Sequence, residues 1–240
     1  MLSLLAVAVA PGIAIILYVY SKDKYDREPL QNLVVSFVLG MVAIAPAYFF
    51  QTWVQPSLSS YQLDHPVSYN AILAFGLVAM SEEVSKYIML RYYAYPNKAF
   101  DEPFDGIIYA VMIGMGFATF ENIVYVLKYG LTTGIVRMFL SVPAHAAFGV
   151  LMGYHIGLAK FDRPRSALHM FKGLALAIFF HGAFDFFLFL QDSPQVKQYV
   201  SGFLLLGGAL VSYWIAIRMS LRSIRLHQEL SKQSFNRTGL

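Results

Sequence analysis

Residues 67–90 read VSYNAILAFGLVAMSEEVSKYIML. The run is long and apolar enough to cross a bilayer as a helix, which needs roughly 20 such residues. Glu82, Glu83 and Lys86 interrupt it. On insertion scales an acidic side chain at the centre of a spanning helix costs about 2.5–3.5 kcal/mol. Two adjacent glutamates therefore mark a helix that does more than cross lipid. Glu82 and Lys86 fall one turn apart on one face, with Glu83 about 100° around the helix.

Outward from this stretch the chain keeps the same character. It has 240 residues, 58% hydrophobic and 13% charged, the composition of a polytopic membrane protein rather than a soluble domain. Seven windows are long enough to span, at about 2–20, 30–54, 67–90, 104–127, 137–159, 171–190 and 198–217. The expected fold is an all-α membrane helix bundle, one integral domain over 1–240 with its catalytic helices at about 67–190. Ala8-Val9-Ala10 resembles a signal-peptide cleavage site, but Pro11 follows and no Lys or Arg precedes, so the first run reads as a retained helix. Lys and Arg gather in alternate loops: Lys22, Lys24 and Arg27, then Arg91 and Lys98, then Lys160, Arg163, Arg165 and Lys172, then Arg218 onward. The other side carries only Lys128, Arg137 and Lys197. By the positive-inside rule this sorting puts the N-terminus outside and the C-terminus in the cytoplasm. The basic, partly amphipathic stretch 218–240 is expected on the anionic cytoplasmic leaflet. Nucleic acid is not an expected partner, because the basic residues are accounted for by orientation.

Polar residues recur at membrane depth on four helices. The third carries Glu82, Glu83 and Lys86; the fourth Glu121 and Asn122; the fifth His145; the sixth His181 and Asp185, one turn apart. Individually each has a structural explanation: a histidine bonded between helices, or Lys86 neutralising a glutamate. Collectively they are costly to satisfy for packing alone. Gly149, Gly153 and Gly157 share a face with His145, and Gly106, Ala110, Gly114 and Ala118 form a matching stripe, so these faces point inward. Several chemistries are excluded. The chain has no cysteine, and neither H-E-x-x-H nor G-x-S-x-G occurs. What remains is carboxylate and imidazole chemistry. A desolvated carboxylate can take a proton from water, an imidazole can stabilise the oxyanion formed on a peptide carbonyl, and a metal held by Glu and His is chemically compatible.

At these residues the sequence resembles the PrsW family of intramembrane glutamic-type proteases, distantly related to the CAAX prenyl protease and Abi superfamily. The resemblance runs from about 20 to 190. It rests on Glu82-Glu83-x-x-Lys86, Phe117-x-x-x-Glu121-Asn122, His145-Ala146-x-x-Gly149 and His181-x-x-x-Asp185, with Asp26-Arg27-Glu28-Pro29 and Asp101-Glu102-Pro103-Phe104-Asp105-Gly106 beside them. Glu121 stands where the prenyl proteases usually carry histidine, and Asp185 where they often carry asparagine. The resemblance implies site-1-type cleavage of a membrane-anchored, anti-sigma-factor-like protein in a bacterial or archaeal membrane, with a glutamate activating water and no covalent intermediate. On that footing Glu82 is the expected general base and Glu83 its proton partner. His181 polarises the carbonyl, Asp185 orients His181, Glu121 and His145 complete the cavity, and Lys86 and Asn122 support it. No cofactor is expected; zinc, if used, would be held by Glu82, Glu121, His145 and His181. Two rival readings use the same residues: a proton-coupled transporter or channel, which would move solute without cutting, and a scaffold with a structural polar core, which would do neither.

Overall fold

The computed structural model describes residues 2–238. Among them the chain is helical with no strand. Helix α1 is Leu2–Tyr20. Helices α2 (Leu30–Val42) and α3 (Ile44–Leu58) run on from one another through Ala43. The stretch 66–94 is helical throughout but alternates in pitch: α4 (Pro66–Ala71), π-helical turns at Ile72–Ala79, α5 (Met80–Met89), then π-helical turns at Leu90–Ala94. There follow α6 (Asp105–Tyr129), α7 (Leu131–Phe139), α8 (Ser141–Phe161), α9 (Ser166–Gln191), the short α10 (Pro194–Lys197) and α11 (Gly202–Thr238).

Among the described residues, six stretches are long and apolar enough to cross a membrane: Ser3–Tyr20, Leu30–Tyr61, Asp105–Tyr129, Leu131–Phe161, Arg163–Gln191 and Gly202–Gln233. They correspond to six of the seven expected windows. The remaining one, 67–90, is the stretch whose helix is divided by π turns and loaded with the Glu82–Glu83–Lys86 group. The six establish a polytopic helical bundle in a membrane.

Helices α6 and α8 form its centre, with 78% of the apolar 18-residue window of α6 buried. Lipid gives no hydrophobic drive between helices, so association depends on close backbone approach. The glycine stripes supply it. A Cβ on Gly153 would sit 2.8 Å from the Ala110 Cβ, and one on Gly157 would sit 2.7 Å from His227. The bulk that fills the remaining centre is Ile107, Tyr109, Ile113, Met115, Phe148, Met152 and Ile156, all buried.

The C-terminal stretch differs from the expected leaflet-bound tail. Helix α11 continues unbroken for 37 residues, about 55 Å at 1.5 Å per residue. Beyond Arg218 its inner face (Ser220, Ser223, Ile224, His227, Ser231) is buried against protein. Gln228 donates to the Lys22 carbonyl at 2.7 Å, the Phe104 amide to Ser231 Oγ at 3.3 Å, and Ser220 to the Ala147 carbonyl at 2.9 Å. Gln228, Ser231 and Ser220 thus find partners on the bundle that lipid would not offer. Arg218, Arg222 and Arg225 stay on the other face, away from these contacts. Residues 239 and 240 and the Arg237 side chain, parts of the same expected tail, lie outside the described residues.

Candidate active site

Glu82 and Glu83 lie near the start of α5, directly after the π-helical turns. A π turn carries an extra residue per turn and rotates the helix beyond it, and such turns concentrate at functional sites. Both carboxylates are buried, as is Lys86. Lys86 Nζ lies 2.7 Å from Glu83 Oε1 and 3.7 Å from Glu82 Oε2, so Glu83 is its closer partner.

Three other helices deliver the rest. From α8, His145 places Nδ1 3.2 Å from Lys86 Nζ and Nε2 3.1 Å from Glu121 Oε2 of α6. From α9, His181 places Nδ1 2.8 Å from Glu83 Oε1 and Nε2 3.2 Å from Asp185 Oδ2, with Glu82 Oε2 at 3.9 Å from the same nitrogen. The rings of His145 and His181 meet edge to face at 5.1 Å, and Phe148 stacks on His181 at 5.0 Å. Phe117, part of the sequence motif, closes the group: Lys86 sits 4.1 Å over its ring. The charged and imidazole residues expected from the sequence thus form one connected network across four helices.

A cavity of about 910 Å³ opens beside it. Glu82, Glu121, His145, His181 and Asp185 line this space; Glu83 and Lys86 stand behind them, against α6 and α8. Aromatic and aliphatic side chains of α3, α6 and α9 (Tyr48, Phe120, Val124, Phe184, Leu188) make up much of the remaining wall. A charged floor under apolar walls suits an extended peptide whose side chains are apolar and whose backbone must be hydrolysed. Among the described residues, Glu82 Oε2 and Glu83 Oε2 are buried without a hydrogen-bond partner. Of the two, only Glu82 borders the cavity.

Asn122 is placed differently from the other motif residues. Fully buried, it turns toward α1, donating to the Ala8 carbonyl at 3.0 Å. Two polar residues of the cavity that reach this network, Gln51 and Arg137, were not singled out as site residues from sequence. Gln51 of α3 donates to Ser81 at 3.0 Å and approaches Glu82 Oε1 at 3.5 Å. Arg137 of α7 donates to Glu121 Oε2 at 2.6 Å and to Asn122 Oδ1 at 3.0 Å. A single basic residue on the sparsely charged side was the only trace of Arg137 in the sequence. Its count toward orientation hid its role.

Of the four residues expected to hold a metal, Glu82, His145 and His181 bring one ligand atom each within 4.8 Å of the others. Glu121 is not in that group; its Oε2 lies against Arg137 and His145. One carboxylate with two imidazoles is a donor set of catalytic zinc sites. As arranged, however, His145 spends Nδ1 on Lys86 and Nε2 on Glu121, and His181 spends Nδ1 on Glu83 and Nε2 on Asp185, so the trio presents no free imidazole nitrogen to a divalent cation.

The family model described as "PrsW family intramembrane metalloprotease" matches residues 28–216. Protease PrsW of Geobacillus kaustophilus (strain HTA426) is 35% identical over 218 residues, 91% of this chain and 91% of that one. Protease PrsW of Bacillus subtilis (strain 168) is 35% identical over 189 residues, 78% of this chain and 84% of its own. That of Clostridioides difficile (strain 630) is 32% identical over 196 residues, covering 79% and 81%. No solved structure matches.

Proposed function

Because the chain belongs to the PrsW family of intramembrane proteases, we propose that it is an endopeptidase in which Glu82 activates water against a peptide bond of a membrane-anchored protein. It is an integral membrane protein of bacterial type. The observation that carries the reading is the buried Glu82 carboxylate with a free oxygen on the wall of a 910 Å³ cavity, 3.9 Å from the His181 imidazole.

A substrate strand lying along the cavity puts its carbonyl between Glu82 and His181. Glu82 takes a proton from water as the oxygen attacks the carbonyl carbon. His181, held by Glu83 at Nδ1, turns its Nε2–H from Asp185 to the developing oxyanion. Glu82 then returns the proton to the departing amine, so no covalent intermediate forms. Lys86 holds Glu83 in place and balances its charge. The substrate is a single-span protein of the anti-sigma-factor kind, cut on the side of the membrane that charge sorting makes the outside. The relatives named as proteases weigh against a transporter reading of the same residues.

The test is a purified sample in proteoliposomes with a tethered single-span reporter. Glu82→Gln should lower kcat/KM by at least about 100-fold, the scale of a lost general base. Undiminished cleavage by that variant removes Glu82 from the chemistry. Loss of wild-type activity on chelation, restored by zinc, would show instead that Glu82, His145 and His181 rearrange around a metal, and would overturn the free-base reading.

A further inference from the structure

The polar network of the cavity ends on a residue outside every motif. We propose that Arg137 is a positioning residue of the active site, acting through Glu121 to hold His145 in one tautomer; the proposal rests on the protease reading.

Arg137 belongs to α7, a nine-residue helix whose direction is set at Gly130. There φ is +85°, a conformation that side-chain-bearing residues rarely adopt. The turn folds α7 back along α6. Gly134 then packs against Val126 and Val7, and Arg137 reaches Glu121 and Asn122, 16 and 15 positions earlier. Its fork meets Glu121 Oε2 at 2.6 Å and Asn122 Oδ1 at 3.0 Å, and its guanidinium lies 4.0 Å over the Tyr125 ring. Asn122 is itself fixed to α1 through the Ala8 carbonyl. The side chain of Arg137 is 13% exposed and that of Glu121 20%. This is a sheltered, multiply bonded pair at the cavity wall, unlike a solvent-facing ion pair.

The consequence passes to His145. Glu121 Oε2 receives both Arg137 and His145 Nε2. A carboxylate held by a guanidinium accepts and does not donate, so His145 carries its proton on Nε2. On the other side Lys86 is an ammonium, which only donates, so Nδ1 presents its lone pair. Arg137 and Lys86 thereby fix the two nitrogens of His145 from opposite sides. Second partners of this kind set tautomer and ring orientation, and their loss typically costs 10–100-fold in activity. A lysine at 137 would keep the charge but could not serve Glu121 and Asn122 together.

The experiment compares Arg137→Gln, Arg137→Lys, Glu121→Gln and the double variant on the tethered reporter, per monodisperse molecule, alongside ¹⁵N spectra of His145. Arg137→Gln should lower kcat by about 10–100-fold and leave KM within about twofold, a loss confined to the transition state. Arg137→Lys should recover part of the rate. In the Glu121→Gln background Arg137→Gln should add nothing further, since both changes cut one connection. The spectra should show the Nε2–H tautomer in the wild type and a mixture in Arg137→Gln. Unchanged kcat, a change in KM alone, or losses that multiply in the double variant would overturn the proposal. So would identical His145 spectra in wild type and Arg137→Gln. The spectra decide even if the wild type cuts no reporter, a result that would instead defeat the protease reading. If Arg137→Gln does not fold, the Arg137→Lys spectrum and rate carry the same comparison.

Discussion

At the scale of single residues, the two adjacent glutamates have separate jobs. Glu82 borders the cavity and keeps an oxygen free, whereas Glu83 is locked between Lys86 at 2.7 Å and His181 at 2.8 Å. Their substitutions should therefore differ in kind. Glu83→Gln leaves a buried ammonium without its main partner, and breaking such a pair costs about 3–5 kcal/mol. It should lower the thermal midpoint markedly as well as the activity. Glu82→Gln should abolish cleavage with a much smaller effect on stability. Combining Glu83→Gln with Lys86→Met should restore the midpoint and leave the enzyme inactive. Equal midpoints for the two single variants would show that the partition between a reacting and a supporting carboxylate is wrong.

The same distinction between carrying chemistry and carrying shape holds for the helices. Helices α6 and α8 must touch at backbone distance for Glu121 and His145 to meet. Gly153 allows this because its missing side chain is the space that Ala110 and Gly106 occupy. Gly153→Leu should separate the pair, destabilise the protein by about 1–3 kcal/mol, as overpacked cores do, and reduce cleavage through the lost Glu121–His145 contact. Gly207→Ala is the control, since a Cβ there meets nothing within 4 Å. Denaturation in mild detergent reads both. If the two variants unfold alike, the close crossing is not what holds these helices. The π-helical turns before Met80 belong to this scale too, because the register of Glu82 and Glu83 depends on them.

For the molecule as a whole, the polar ends of the bundle are coupled to its stability. At the end bearing the basic loops, burial pushes Asp23 up to about 6, Glu28 to about 7 and Glu102 to about 8. Glu28 also accepts from the Tyr109 hydroxyl, and Glu102 faces the acidic Asp23, Asp26 and Asp101. Each group binds its proton more tightly folded than unfolded, where a carboxylate titrates near about 4. The folded state thus holds more protons between about pH 4 and 8, and stability must fall as pH rises through that window. Chemical denaturation from about pH 5 to about pH 8.5 should show this slope, and Glu28→Gln with Glu102→Gln should flatten it. A slope unchanged by those substitutions would locate the proton linkage elsewhere. Because α11 docks on this end through Ser231 and Gln228, its release should accompany the loss.

The sequence by itself determined that this chain is a membrane helix bundle, and it marked Glu82, Glu83, Glu121, His145, His181 and Asp185 as the polar set. Charged groups in apolar helices violate the local rule for a spanning segment, and such violations are visible one residue at a time. Tertiary structure alone decided the partners. Which oxygen pairs with Lys86, which carboxylate stays free and which way Asn122 turns depend on helix rotation and on sub-ångström approach between α5, α6, α8 and α9. No periodicity encodes those. The same limit hid Arg137 and the docking of α11. An arginine near a helix end and a run of serines on a basic helix look like surface until the chain folds back and buries them.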